Sequence, residues 1–535
     1  MLRASADRLL AATGRELRKQ TSARFRRRAG SAGPGYVTTT VRRVPVTARV
    51  EPQLSLAQHQ ADFVAEVVAL LEGGSIGHWW LPDAAPTPVL GVRVEDRDAV
   101  LAALARRVAP SWYVDPLDAT GAARHAYLGT SAPRVPPPGV LTWEYAVPAA
   151  GSRFVADEGQ GLRIWFWDTG ADGVLTSLVA NLVATELPAD AVAGAVAGVV
   201  ADERVPEPLR PRRSSRVGFP VDVVYTWVDG MDDRWLLDKA RAAGVADPAL
   251  FTERAHDESR FADHDELRHS LRSLEQFAPW VNHVWVVTAG QHPAWLAPDD
   301  PWVTVVPHEA VWPDGDGLPT FNSHAIETCL HRIPGLAEHF LYLNDDMLLG
   351  RPLTPEAFFH PDGTSKFYWS RALVDHGPVA TGEIASTTAA KNARRLLEER
   401  YGVTFSRKFF HTAAALTVSG LTELEATFPE AVRATRHAPF RTVHDVATAG
   451  SFYLNWAYVT GRAVPSRLRY TYIDPAAPDA ATRLRTLTRT RVFDAFCVND
   501  GSSEETPEQR RATDRLIRDF FAAYLPVPGS FEVEG

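Results

Sequence analysis

An α/β chain in two parts, the second built on a doubly wound parallel sheet, is predicted by three observations. From residue 218 onward, β-branched apolar runs alternate with helical patterns. Two of those runs end in acids, where sheets of this class place their ligands. A proline-rich basic stretch cuts the chain just before them. The 535 residues also exceed what one hydrophobic core usually organises.

Bulk composition narrows the classes. An apolar share of 45% with 23% charged residues is that of a globular protein, not a disordered or fibrous one. A formal net charge of -9 argues against a protein that coats nucleic acid, which needs a basic face to displace phosphate counterions. The two cysteines, Cys329 and Cys497, lie far apart without CxxC spacing, so neither a disulfide framework nor a structural zinc site is indicated and a reducing, cytoplasmic compartment fits best.

Residues 1–35 form a basic tail, with nine Lys/Arg against two acids in the first 30 and apolar residues at roughly helical spacing. Two readings stay open: an amphipathic segment peripheral to the inner face of the plasma membrane, or a frayed tail. The most apolar later stretch, Val174 to Val200, is interrupted by Asn181, Glu186 and Asp190, so no transmembrane helix is expected. Residues 36–205 alternate strand-like runs, Val89 to Val94 and Leu162 to Trp167, with helical patterns at Leu54 to Leu71 and Asp98 to Val108. They read as a smaller N-terminal α/β domain without a catalytic constellation. Residues 206–217 read as a linker.

The main domain spans 218–525, with a C-terminal tail at 526–535. Val221 to Val228 reads as a buried parallel strand opening into Asp229-Gly230. Further strands are expected at His283 to Thr288, Val303 to Val306 and Phe340 to Leu343, the last running into Asn344-Asp345-Asp346, with a helix at Asp265 to Phe277. Another apolar run, Phe493 to Val498, ends in Asn499-Asp500. Adjacent carboxylates at strand ends can gather a hard divalent cation, although an isolated Asp pair is more often a turn or helix cap. By residue type alone, Glu327 reads as a helix acid favoured by the dipole, His411 as an ordinary hydrogen-bonded histidine and Arg441 as a surface charge.

Longer ordered motifs change that balance. Asp222-Val223-Val224-Tyr225-Thr226-Trp227-Val228-Asp229-Gly230 resembles the first conserved block of the Stealth proteins. The second runs from Arg260-Phe261-Ala262-Asp263 through Leu318-Pro319-Thr320-Phe321-Asn322-Ser323 to Tyr342-Leu343-Asn344-Asp345-Asp346. His411 with Phe440-Arg441 resembles the third, and Phe496-Cys497-Val498-Asn499-Asp500 the fourth, where the family more often has Leu at position 498. Residues 1–205 fall outside these blocks.

The family includes transferases that build phosphodiester-linked bacterial capsules and the animal enzyme that places GlcNAc-1-phosphate on lysosomal glycoproteins. The resemblance implies a Rossmann-like, GT-A-like domain that binds a nucleotide sugar. It implies transfer of hexose-1-phosphate from a UDP-sugar to a glycan hydroxyl, with UMP released. Carried over by motif, His411, Arg441, Glu327 and Asp346 match catalytic positions. Asp346 and Asp500, with Asp345, match acids near a Mg²⁺ or Mn²⁺ ion. Asp229, Gly230, Arg268 and Asn322 lie in blocks expected around the nucleotide, though the animal enzyme carries Asn at the position of Asp229. Two alternatives stand beside this reading: a glycosyltransferase that releases UDP, and a non-catalytic sugar-polymer-binding protein. Sugar, acceptor and oligomeric state are open.

Overall fold

A computed structural model describes residues 33–42, 44–106, 109–123, 136–192, 205–211, 213–245, 264–313, 317–380, 382–499 and 506–533. Residues 1–30 and Asp500, on which the membrane and part of the metal expectations rest, lie outside the described residues. The chain divides into two compact units, Met1–Arg213 and Ser214–Gly535.

In the first unit the run at 89–93 (β4, after three earlier strands β1 Tyr36–Val41, β2 Val44–Val50 and β3 His78–Trp80) pairs in parallel with β8 (Leu162–Thr169). Between them come β5 (Trp112–Leu117), β6 (Gly139–Glu144) and β7 (Ala146–Val147), and after them β9 (Val174–Ser177) and β10 (Glu186–Pro188). Seven of these strands form one mixed sheet, and β1, β2 and β7 form a second. Helices α1 (Leu56–Gly73) and α2 (Arg97–Arg106) cover one face through Phe63, Val67, Leu71, Val100 and Leu104. Spacings of three and four residues put these side chains on single stripes.

The second unit is organised by β11 (Val221–Thr226), whose β-branched residues are buried on both faces. It pairs in parallel with β12 (Val284–Thr288) and with β14 (His339–Asn344); β13 (Val303–Pro307) extends the sheet beyond β12. A fifth strand, β19 (Ala414–Thr417), closes the other edge antiparallel to β14. Because Thr226 is opposite Asn344, Asp229 and Asp345-Asp346 emerge from the same end of the sheet.

The run that ends at Val498 does not join this sheet. It is β22 (Ala495–Val498), held between β15 (Met347–Leu349) and β21 (Tyr470–Ile473) in a separate three-stranded sheet. The chain turns after Asp346 and runs straight into β15, so the two sheets are joined at that residue. Helix α4 (Glu266–Phe277; α3 is Asp233–Val245) fixes the joint. Its Ser270 hydroxyl donates to the Met347 carbonyl at 2.5 Å and meets the Tyr225 hydroxyl at 2.7 Å, while Ser273 accepts from the Leu349 amide at 3.1 Å. Three residues apart, the two serines share a helix face.

Part of the stretch read as a C-terminal tail is packed into this unit. Phe531 is fully buried, and Glu532 forms ion pairs with both Arg268 and Arg272 at 2.5 Å. Two guanidinium groups compensate the cost of burying that carboxylate. No helix among the described residues is long and apolar enough to cross a membrane.

Candidate active site

Asp346 is 6% exposed, yet its carboxylate carries an unusual load on one oxygen. Oδ2 faces the His411 Nε2 at 3.2 Å, accepts from the Cys497 thiol at 3.4 Å and accepts from the Asn499 amide. Oδ1 is buried with no hydrogen-bond partner among the described residues. A buried carboxylate oxygen left unpaired costs of the order of 1–3 kcal/mol, a cost that a ligand at that position would remove. The β15–β22 ladder explains the gathering: Met347 pairs with Cys497, and the Val498 amide donates to the Asp346 carbonyl at 3.3 Å. Side chains alternate along a strand, so Cys497 and Asn499 turn to the Asp346 side and Val498 turns away.

Electrostatics follow the contacts. Burial alone would disfavour a charged His411, but the charge and hydrogen bond of Asp346 outweigh it and raise its pKa. Burial likewise opposes the Asp346 carboxylate; His411, Asn499 and Cys497 overcome it and hold its pKa below the usual value. Each group favours the charged form of the other. The His411 side chain keeps 42% exposure, so an incoming hydroxyl can reach it. Burial, reinforced by the Asp346 charge, pushes the Cys497 thiol well above its ordinary range.

Glu327 and Arg441 complete the cluster. Glu327 ends a short helix, α6 (Ser323–Glu327; α5 is His308–Val311), and its Oε2 accepts from the Ala449 amide at 3.1 Å. Its pKa is raised by burial, against the pull of His324, the Ala449 amide and Arg441. Arg441 donates to the Ser323 hydroxyl at 2.6 Å; burial lowers its pKa, and Glu327, Tyr342 and Asp445 support the cation. Both Arg441 and Glu327 also act on His411 through their charges, so all four expected catalytic positions share one electrostatic environment.

The remaining expected residues are placed differently. Asn322 is fully enclosed: its amide donates to the carbonyls of Ala438 and Phe440 and to Asp445, and its oxygen caps α6 at His324. These bonds anchor the loop that carries Arg441 and hold the side chain enclosed among protein groups. Arg268 is spent on Glu532 and lies against the Trp295 ring. Asp229 stands at the end of β11 with Gly230; Gln291 clamps its backbone on both sides, at 3.0 and 2.9 Å, and its carboxylate accepts from the Met231 amide. Gly290, at φ +82°, permits the turn that brings Gln291 back. The Asp345 side chain accepts from the Asp346 amide at 3.1 Å.

Cys497 and Asn499 were not among the expected site residues; their alternation about Val498 at the end of an apolar run was the available signal. Asp346, His411 and Cys497 each offer one ligand atom, all within 4.8 Å of one another. Asp346 Oδ1 fits a divalent cation, whereas a protonated thiol is a poor ligand for a hard ion.

A galactosyltransferase, LgtC, with bound donor and acceptor sugar analogues covers 57% of this chain and 96% of its own at 12% identity and a TM-score of 0.30, too low to carry an argument. Two exopolysaccharide phosphotransferases of Streptomyces coelicolor are 44% and 46% identical over 316 residues, 59% of this chain in each case and 57% and 53% of theirs. The exopolysaccharide phosphotransferase CpsY of Mycobacterium tuberculosis is 39% identical over 320 residues, 60% of this chain and 59% of its own. The chain thus spans little more than half the length of these curated relatives. Conserved region 1 of the Stealth proteins matches residues 219–244, region 2 matches 260–367, region 3 matches 410–458 and region 4 matches 485–535. Region 1 supplies β11, region 2 Glu327 and Asp346, region 3 His411 and Arg441, and region 4 Cys497 and Asn499. With all four present in order, and regions 3 and 4 meeting region 2 at the Asp346 carboxylate, the chain belongs to the Stealth family.

Proposed function

We propose that this protein transfers hexose-1-phosphate from a UDP-sugar to a hydroxyl of a polysaccharide acceptor, forming a phosphodiester and releasing UMP. The observation that carries the reading is the His411–Asp346 contact at 3.2 Å, with the charges of Arg441 and of a buried Glu327 acting on His411. It is a proton acceptor and a phosphate-binding cation in one place, with no nucleophilic serine required. The names of the relatives, exopolysaccharide phosphotransferases, agree with it.

His411 would accept the proton of the acceptor hydroxyl through Nε2 as that oxygen attacks phosphorus. Arg441 would offset charge on the transferring phosphoryl group, and phosphoryl transfer depends on such positioning and charge compensation. Glu327 would hold Arg441 and orient the sugar. Asp346, with Asp345 and Asp500, would hold Mg²⁺ or Mn²⁺. Bound there, the cation would screen the diphosphate. Asp229 and Gly230 would border the nucleotide. The bond from anomeric carbon to oxygen stays intact, so configuration is retained.

Incubation with a panel of UDP-sugars and glycan acceptors, with and without Mg²⁺, followed by phosphorus NMR, tests the reading. UMP and a new phosphodiester resonance are expected; UDP would assign an ordinary glycosyltransferase instead. His411→Ala is expected to slow turnover by about 10²- to 10⁴-fold.

A further inference from the structure

A cavity of about 480 Å³ opens on the second unit, its lining including Trp369, Arg407, Asn455 and Tyr458 but not Asp346. Trp369 and Tyr458 meet edge to face, with ring centroids 5.6 Å apart, and Tyr458 is 45% exposed. The Arg407 guanidinium lies 5.5 Å from the centre of the Trp369 ring. Asn455 is 5% exposed; its amide nitrogen donates to the Ser451 carbonyl at 2.8 Å, and its oxygen accepts no hydrogen bond among the described residues. Aromatic rings, the open side-chain oxygen of a buried asparagine and a cation therefore border one recess.

Its position in the chain ties it to the candidate site. After β16 (Ser365–Phe367), β17 (Trp369–Leu373) pairs with β18 (Arg407–Phe409), Trp369 opposite Phe409 and Leu373 opposite Arg407. The Phe410 amide donates to the Tyr368 carbonyl at 2.9 Å, continuing that ladder to the residue before His411. Four residues separate Arg407 from His411, at most about 14 Å of chain.

We propose that this recess is an acceptor subsite, binding an internal sugar of a glycan chain whose terminal hydroxyl lies at His411. The inference rests on the function proposed above. Rings of Trp369 and Tyr458 take the apolar face of a sugar, and the Asn455 oxygen accepts from one of its hydroxyls. Arg407 adds a preference that follows from the chemistry. Each transfer leaves a phosphodiester behind the new terminal sugar, so an acceptor that has been extended carries an anion, which a guanidinium at this distance from the reacting end would pair with.

The test uses the full-length protein with two probes, a hexose oligomer joined by phosphodiesters and a neutral maltodextrin oligomer, and measures binding by calorimetry and acceptor KM by UMP release. Trp369→Ala and Tyr458→Ala are expected to weaken binding of both oligomers about tenfold and to raise acceptor KM equally, with donor KM unchanged. Arg407→Gln, at an exposed position, is expected to weaken only the charged oligomer. Undiminished binding in Tyr458→Ala and Arg407→Gln, both at exposed positions, would overturn the subsite. The two readings fail separately: UMP release with unaltered acceptor KM in the variants discards the subsite alone, whereas oligomer binding that depends on Tyr458, with no UMP formed from any UDP-sugar, discards the transfer reaction and leaves a glycan site.

Discussion

Both units bury acids, and they do so to different ends. In the first, Glu144 is 4% exposed with both oxygens engaged: Ser111 donates to one at 2.6 Å and Arg49 pairs with the other at 3.2 Å. His59 beside it contacts Glu51 and the Glu144 carbonyl, each at 3.2 Å, so both carboxylate oxygens of Glu144 face a partner. In the second, Asp346 directs three groups at Oδ2 and leaves Oδ1 with none. A fully matched buried charge fixes a fold, and an unmatched one awaits a partner. Burial of an acid is therefore a weak guide to function, and the unfilled valence is the better one.

Substitutions at the two acids sharpen the contrast. Asp346→Asn keeps the shape and an acceptor oxygen but loses the charge, so UMP release is expected to fall by about 10²- to 10³-fold with little change in melting temperature. Glu144→Gln reverses the pattern: it removes the charge that pairs with Arg49 at a cost of about 1–3 kcal/mol in chemical denaturation, while turnover per folded molecule stays the same. Equal loss of activity in both variants would break the comparison.

Smaller effects are expected where the second unit also has a closed cluster. His264 contacts Glu266 and Asp514, each at 2.8 Å. Burial alone would lower its pKa, but the two carboxylates outweigh that and raise it to about 9 from an ordinary 6.5. A group whose folded pKa lies above its unfolded value stabilises fully below the unfolded pKa and ceases to do so as pH rises through the folded one. Melting temperature is thus expected to decline between pH 6.5 and 9, and His264→Gln to flatten that decline. Ser270→Ala, which removes the bond to the Met347 carbonyl, is expected to cost about 1 kcal/mol and to lower turnover modestly by loosening the turn at Asp346.

Much of the fold was legible because its signals are local. The β-branched run at 221–226, the helix at 266–277 and the strands at 284–288, 303–307 and 339–344 sit within a few residues of where periodicity puts them. Parallel pairing of β11 with β12 and β14 follows from alternation of strands with helices, and it brings Asp229 and Asp346 to one edge. The gathering of Glu327, Asp346, His411 and Arg441 was legible only through family motifs, since no spacing rule links residues up to 114 positions apart.

What the amino-acid order determined by itself, then, is which segments are strands and helices and which of them end in chemistry-bearing residues. Periodicity of 2 or 3.6 and turn residues act over a few positions and leave a readable trace. Tertiary structure alone decided that β22 leaves the main sheet for β15, that Cys497 and Asn499 face Asp346, that Asn322 and Arg268 are consumed by protein partners and that Glu532 is drawn inside. Each of these depends on strand register or on pairing between residues more than a hundred positions apart. Such choices are made by the packing of the whole unit, because a single-residue slip of a ladder would reverse every side chain along it.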